Sequence, residues 1–100
     1  MVFVEAADLN ELRDKRRLVV EISGRKIILF YLQGDVFAVD AECPHQKGQL
    51  DEGDFHDEEV ICPLHCFMFN IKSGACLNFP AYKAKTYAVQ RNGEKIMVNF

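Results

Sequence analysis

The chain has 100 residues, of which 49% are hydrophobic, and its 12 basic and 15 acidic residues give a net charge of −3. This size suits one domain with one core, and the charge predicts no nucleic-acid partner. The sequence shows no basic and apolar leader and no apolar run long enough to span a bilayer, so we expect a soluble, cytoplasmic protein without membrane attachment.

The N-terminal half predicts one short helix followed by strands. The helix is expected within residues 6–16, where Leu9 and Leu12 are three residues apart and acidic residues come early. Strands are expected at 17–22, 26–32 and 36–39, with turns between them. Residues 26–32 form a continuous apolar run, which is typical of a fully buried strand.

The C-terminal part predicts a hairpin. Strands at 86–90 and 95–98 flank Asn92-Gly93, and this dipeptide is a strong signal for a type I′ turn, in which both central residues have positive φ. Short strands separated by regular turns indicate an all-β fold, either an antiparallel sandwich or a barrel.

The middle of the chain differs from its flanks. Residues 41–82, approximately, contain all four cysteines, all three histidines and all three prolines. We interpret this segment as a loop-rich subdomain inserted between strands of the flanking sheet, within a single domain that spans residues 1–100. The cysteines alternate with histidines and no secretion signal precedes them, which favours a metal centre over disulfides.

Two short motifs carry the candidate chemistry, each pairing a thiol with an imidazole. The first has Cys-x-His spacing and the second Cys-x-x-His, with residues 46–61 between them. Two loops of this kind can present two sulfurs and two nitrogens to one centre. The residues alone allow either an iron–sulfur cluster or tetrahedral zinc. The candidate ligands are Cys43, His45, Cys62 and His65.

At these motifs the chain resembles the Rieske 2Fe–2S family, and the resemblance continues through Phe69-Asn70, Ser73-Gly74 and the last hairpin. It implies a Rieske-like antiparallel β-sandwich with an inserted cluster-binding subdomain and at most one short N-terminal helix. It also implies one 2Fe–2S cluster, with the two cysteines on the inner iron and the two histidines on the outer iron.

The residues around the motifs also indicate a subgroup. High-potential respiratory relatives have an extra cysteine in each loop and two hydroxyl side chains near the cluster sulfurs, which favour the reduced form. This chain has Gly48 and Leu64 at the cysteine positions, and Phe67 and Phe69 at the hydroxyl positions. The resemblance therefore implies the soluble, low-potential type that serves oxygenases.

The resemblance implies an electron carrier rather than an enzyme. It would act as a monomer, taking one electron from a flavin-containing reductase and passing it to a terminal oxygenase. One alternative is a small Rieske subunit of a larger oxidoreductase, such as nitrite reductase. Another is a Cys₂His₂ zinc-binding domain.

Two further features have competing interpretations. Cys66 and Cys76 could form a redox-active pair, but we favour two small buried residues because neither matches the family's disulfide positions. Residues 51–59 hold six carboxylates, which could form a docking patch for a basic partner or simply a solvated loop.

Overall fold

The computed structural model describes residues 3–42, 49–63, 67–78 and 81–99 of the chain. In these ranges the protein consists mainly of short strands, which confirms the predicted all-β class. The elements in chain order are β1 (Phe3–Asp8), α1 (Leu9–Lys15), β2 (Arg17–Ile22), β3 (Arg25–Leu32), β4 (Asp35–Asp40), a 3₁₀ turn (Leu50–Glu52), β5 (Phe55–His56), β6 (Glu59–Ile61), β7 (Met68–Asn70), β8 (Thr86–Tyr87), β9 (Val89–Asn92) and β10 (Lys95–Asn99).

The strands form three sheets, with the orders β1-β10-β9, β2-β3-β4-β8 and β5-β6-β7. Their pairings are antiparallel. The small third sheet lies in sequence between β4 and β8, yet these two strands pair directly through Val39 and Thr86. The middle of the chain is therefore an insertion between neighbouring strands, and it contains a three-stranded sheet where the sequence pattern indicates mostly loops.

Strand β3 lies between two hydrophobic cores, because successive side chains of a strand point to opposite faces. Ile28 and Phe30 join a core with the inserted segment, whereas Ile27 and Leu29 join a core with α1 and β10. All four side chains are fully buried. The continuous apolar run thus forms the buried strand that the sequence predicts.

The short N-terminal helix is confirmed within the predicted range of residues 6–16. It begins at Leu9, after the Asp8 side chain accepts a 2.9 Å hydrogen bond from the backbone N–H of Asn10, and Arg16 ends it with a φ of 70°. Residues 3–8 form β1 instead, because they pair with β10 at the other end of the chain, which no local pattern indicates. In the described part of the chain, no helix has the length and apolar character needed to cross a membrane.

The C-terminal hairpin is confirmed, but its turn type differs from the predicted one. Asn92 pairs with Lys95, so the two central residues are Gly93 and Glu94. Of these two, only Gly93 has a positive φ, of 64°, which fits a type II′ turn with glycine at its first central position. Both central residues have positive φ in the two earlier hairpin turns, Ser23-Gly24 and Gln33-Gly34.

Candidate metal centre

The first ligand segment, residues 43–48, connects two residues that lie side by side. Glu42 and Gln49 form an isolated antiparallel bridge, and the backbone N–H of Leu50 donates a 2.7 Å hydrogen bond to the carbonyl of Ala41. The ends of the segment are thus held together by the backbone. Two predicted ligands, Cys43 and His45, lie in the segment itself, outside the described residues.

The second ligand segment connects β6 to β7. Ile61 pairs with Met68, and the backbone N–H of Cys62 donates a 2.8 Å hydrogen bond to the carbonyl of Phe67. Cys62 therefore stands at the point where the strand ends and the loop begins. Its side chain is fully buried and its thiol is not in a disulfide. The fourth predicted ligand, His65, lies outside the part of the chain that the structure describes.

The stems of both segments belong to one hydrophobic core. Ala41 and Leu50 flank the first segment, Cys62 begins the second, and all three are buried in the core that includes Phe69. A common core fixes the stems relative to each other, because well-packed interiors resist displacement. The stems of the two ligand segments therefore lie in one core, as the predicted convergence of the two loops requires.

A polar turn supports the strand that leaves the second segment. The Asn70 side-chain oxygen accepts hydrogen bonds from the backbone N–H groups of Lys72 and Ser73, at 2.9 and 3.0 Å. The chain then passes through Gly74, whose φ is 81° and whose place against the Ala84 carbonyl leaves no room for a Cβ. The motif residues after the second loop thus form a tight turn that returns the chain to the core.

The side-chain amide of Asn78 joins residues 77–78 to β7. The side-chain oxygen of Asn78 accepts a 3.0 Å hydrogen bond from the backbone N–H of Met68, and the N–H of Leu77 donates to the Met68 carbonyl at 2.7 Å. Residues 77–78 are therefore fastened to the strand that begins beside Phe67. No sequence pattern indicates this contact, since an asparagine before a proline-containing stretch is typical of any turn.

Comparisons with known proteins identify the family. The family model for the Rieske [2Fe-2S] domain matches residues 2–97. The chain belongs to the Rieske [2Fe-2S] family. It is 29% identical, over 97% of its own length and 94% of the relative's, to the ferredoxin component of a naphthalene 1,2-dioxygenase system from Pseudomonas aeruginosa.

Two solved structures extend the Rieske assignment to the fold. The ferredoxin of carbazole 1,9a-dioxygenase from Nocardioides aromaticivorans is 29% identical, with a TM-score of 0.86 and coverage of 98% of this chain and 97% of that one. A protein described as a nitrite reductase (NADPH) small subunit is also 29% identical, with a TM-score of 0.77 and full coverage of both chains. The Rieske-like architecture predicted from the motifs is therefore confirmed.

The described part of the Rieske site fits the [2Fe–2S] cluster that the family implies. A cysteine ligand must be free of a disulfide so that its deprotonated sulfur can bind iron, and Cys62 is free and excluded from solvent at the base of its loop. Cys76, the other cysteine in the described ranges, is buried in the same core and donates a 3.4 Å hydrogen bond to the Asn78 side chain. This burial agrees with the structural role predicted for Cys76, while Cys66 lies outside the described residues.

The acidic segment of this Rieske chain ends in a turn at one end of the small sheet, while Asp54 lies beside Ile61 near the other end. β6 runs from Glu59 towards Cys62, so the β5–β6 turn at Asp57 and Glu58 lies at the end of that strand remote from the ligand, about 10 Å or more away at strand spacing. Glu58 forms an ion pair of 3.4 Å with Lys72, which offsets part of the negative charge of the turn. Steering of a basic partner by this turn stays a prediction.

A charged network lies beside the stem of the first ligand segment. Asp40 is almost fully buried at the end of β4, and its Oδ2 atom accepts hydrogen bonds of 2.9 Å from Nε of Arg25 and 3.4 Å from the hydroxyl of Tyr87. The Nη2 atom of Arg25 is also 2.9 Å from Oδ2. The sequence does not indicate this network, since its three members come from β3, β4 and β8.

The Tyr87 hydroxyl predicts a specific dependence of stability on alkaline pH. Burial, and then the negative charge of Asp40, raise the pKa of Tyr87 above its ordinary value of 10.0. The folded protein thus favours the protonated hydroxyl, and this contribution to stability is fully present below pH 10 and is lost as the pH rises through the folded-state pKa.

We expect Tyr87→Phe to lose less stability than the wild type between about pH 9 and pH 11, because phenylalanine has no proton to release. Urea denaturation of both proteins at the two pH values measures this difference. Equal losses in the free energy of unfolding would contradict the assignment.

Proposed function

We propose that this chain is a one-electron carrier that holds one [2Fe–2S] cluster through Cys43, His45, Cys62 and His65. In this proposal it accepts an electron from a flavin-containing reductase and delivers it to a terminal oxygenase. The observation that carries the proposal is the match to a dioxygenase ferredoxin component over 97% of this chain and 94% of that relative. It favours a carrier over an enzyme that acts on an organic substrate.

The chain's own residues account for the redox chemistry of such a site. When bound, the cluster accepts and releases a single electron. Two thiolates and two neutral imidazoles leave the oxidised centre without net charge, whereas four thiolates would leave it negative, so this ligand set makes reduction easier. The buried position of Cys62 suits the inner iron, and the histidines of the set are assigned to the outer one.

The proposal also covers the domain organisation of the chain, its location and its oligomeric state. We assign residues 41–82, approximately, to a cluster-binding subdomain within a single domain that spans residues 1–100, because β4 and β8 pair directly on either side of the insertion. A cytoplasmic location and a monomeric state complete the proposal. Size-exclusion chromatography with light scattering tests the monomer, which is expected to elute at the mass of one 11.5 kDa chain.

Spectroscopy of the purified chain tests the cluster. We expect a red-brown protein with two iron atoms and two sulfides per chain, and an EPR signal after dithionite reduction whose average g value is low, as mixed cysteine and histidine ligation implies. The proposal then requires that adding the loaded chain to a reductase and a terminal oxygenase restores substrate turnover. A colourless chain that holds one zinc ion would overturn it.

The hydrocarbon side chains near the second loop predict a low reduction potential. Phe67 packs its ring against Tyr82, with centroids 5.6 Å apart, and Phe69 is fully buried in the core, so neither position offers a hydroxyl donor. We expect a midpoint towards the negative end of the Rieske range of roughly −150 to +300 mV. A redox titration measures it, and a midpoint well above about +100 mV would refute the subgroup assignment.

A second candidate function is supported by the full-length match to a protein described as a nitrite reductase small subunit. In that case the chain would work as a resident subunit of a larger oxidoreductase rather than as a diffusing carrier. Affinity purification from the native cells distinguishes the two. Stoichiometric recovery of a large catalytic subunit favours the resident subunit, whereas recovery of the chain alone favours the carrier.

A further inference from the structure

A buried carboxylate lies three residues before the first proposed ligand. Asp40 is 4% exposed, and its two oxygens have separate roles. Oδ2 faces Arg25 and Tyr87, whereas Oδ1 accepts a 3.2 Å hydrogen bond from the backbone N–H of Glu42. The next residue along the chain is Cys43. The side chain thus connects the sheet to the backbone position from which the first ligand segment departs.

We propose that Asp40 is a positioning residue for the first ligand loop, acting through the backbone N–H of Glu42. This inference rests on the ligand set of the proposed function. A short acidic side chain that accepts from the N–H two residues on defines a local turn, and it does so without a regular ladder of backbone hydrogen bonds. Asp40 thereby sets the direction in which the chain leaves β4 towards Cys43.

The backbone around Asp40 is itself held on two sides. Its own N–H donates to the carbonyl of Lys85 at 2.8 Å, and the N–H of Ala41 donates to the carbonyl of Lys26 at 3.1 Å. Beyond Ala41 the regular pairing of β4 gives way to an isolated bridge between Glu42 and Gln49. The Asp40 side chain therefore adds a constraint at the place where the regular sheet pairing ends.

Arg25 and Tyr87 fix the orientation of the carboxylate that makes this contact. The Nε of Arg25 donates a 2.9 Å hydrogen bond to Oδ2, and its Nη2 forms an ion pair of 2.9 Å with the same oxygen, so a charge-assisted contact holds this side of the carboxylate. The hydroxyl of Tyr87 reaches the same oxygen. Because these donors occupy Oδ2, Oδ1 is left to face the N–H of Glu42.

Three variants of the full-length, cluster-loaded chain test the inference. Asp40→Ala removes both contacts, Asp40→Asn keeps an oxygen that can accept from Glu42, and Arg25→Met removes the charge-assisted contact while leaving the carboxylate. The measurements are the rate of iron release to a chelator, the EPR g values of the reduced protein and the urea stability. The matched control is Glu5→Ala, which breaks an exposed ion pair of 3.1 Å with Lys95 in the sheet β1-β10-β9.

We expect Asp40→Ala to release iron roughly ten- to a hundredfold faster than the wild type, the size of the loss in metal affinity that follows removal of an outer-shell partner. We also expect it to shift the g values. Asp40→Asn should keep wild-type g values even where its urea stability falls, and Glu5→Ala should match the wild type in both. The inference would be overturned if, across the three variants and the control, the rate of iron release simply rises as the urea stability falls. If Asp40→Ala does not fold, altered g values in Asp40→Asn overturn it equally.

The two proposals fail in different ways. A wild-type chain that takes up no cluster would refute the proposed function, and the ligand set with it. A wild-type chain that holds a cluster with mixed-ligand g values, together with an Asp40→Ala variant that releases iron at the wild-type rate, would refute only the positioning role.

Discussion

Replacing Cys62 by serine is expected to abolish cluster binding. The Cys62 thiol is fully buried and free at the end of β6, where the proposed ligand set places a thiolate on the inner iron. A serine hydroxyl loses its proton far less readily than a thiol and binds iron weakly as a neutral group. We expect the purified Cys62→Ser variant to hold little or no iron and to lack visible absorption.

Cys76 supplies the matched control for this experiment. It is buried in the same hydrophobic core and is also free, but it lies after the turn that follows β7, in an isolated bridge with Phe69, rather than at a ligand loop. A serine there can still donate to the Asn78 side chain, so Cys76→Ser should retain the iron content and the colour of the wild type. Equal iron loss in the two variants would show that the core, and not the Cys62 ligand, controls cluster binding.

The features that the sequence predicts well are those encoded by neighbouring residues. The apolar run of β3 and the hairpin around Gly93 depend on local patterning, and the structure confirms both. The two ligand motifs also depend on fixed local spacing, which is why the sequence alone is enough to identify the family. Local patterns succeed here because a strand's two-residue period and a turn's positive φ leave direct traces in the sequence.

The features that the sequence does not predict depend on residues far apart in the chain. Strand β1 exists because it pairs with β10, and its last three residues lie in the range where the sequence predicts a helix. The strands β5, β6 and β7 have two or three residues each, too few for a period to be recognised. The Asp40 network joins three strands of one sheet, so only the completed fold brings its members together.

A glycine in the acidic segment has a role that its sequence context conceals. Gly53 follows the 3₁₀ turn, and its neighbours are acidic, as in an ordinary flexible loop. In the structure it is buried against β6, and a Cβ built on it would overlap the carbonyl oxygen of Ile61, the residue before Cys62. Its own carbonyl accepts a 2.8 Å hydrogen bond from Arg17, which ties this loop to β2.

We expect Gly53→Ala to be strongly destabilising and to lower the iron content. Its φ of −86° is open to any residue, so the cost comes from the clash with a backbone atom that cannot rotate away. Overpacking of this kind costs typically about 1–3 kcal/mol, and more where the obstructing group is backbone. Relief of the clash requires β6 to move, and Cys62 moves with it. Urea denaturation and iron analysis of the purified variant measure the two effects.

Gly34→Ala separates this clash from the general cost of replacing a glycine. Gly34 lies in the turn between β3 and β4, with a φ of 87° and no atom within 4 Å of the position that a Cβ would take. The substitution should cost about 1–2 kcal/mol, the penalty of a left-handed conformation, and should leave the iron content unchanged. If Gly53→Ala keeps its iron and loses no more stability than Gly34→Ala, the close packing of Gly53 against β6 does not hold the second ligand segment in place.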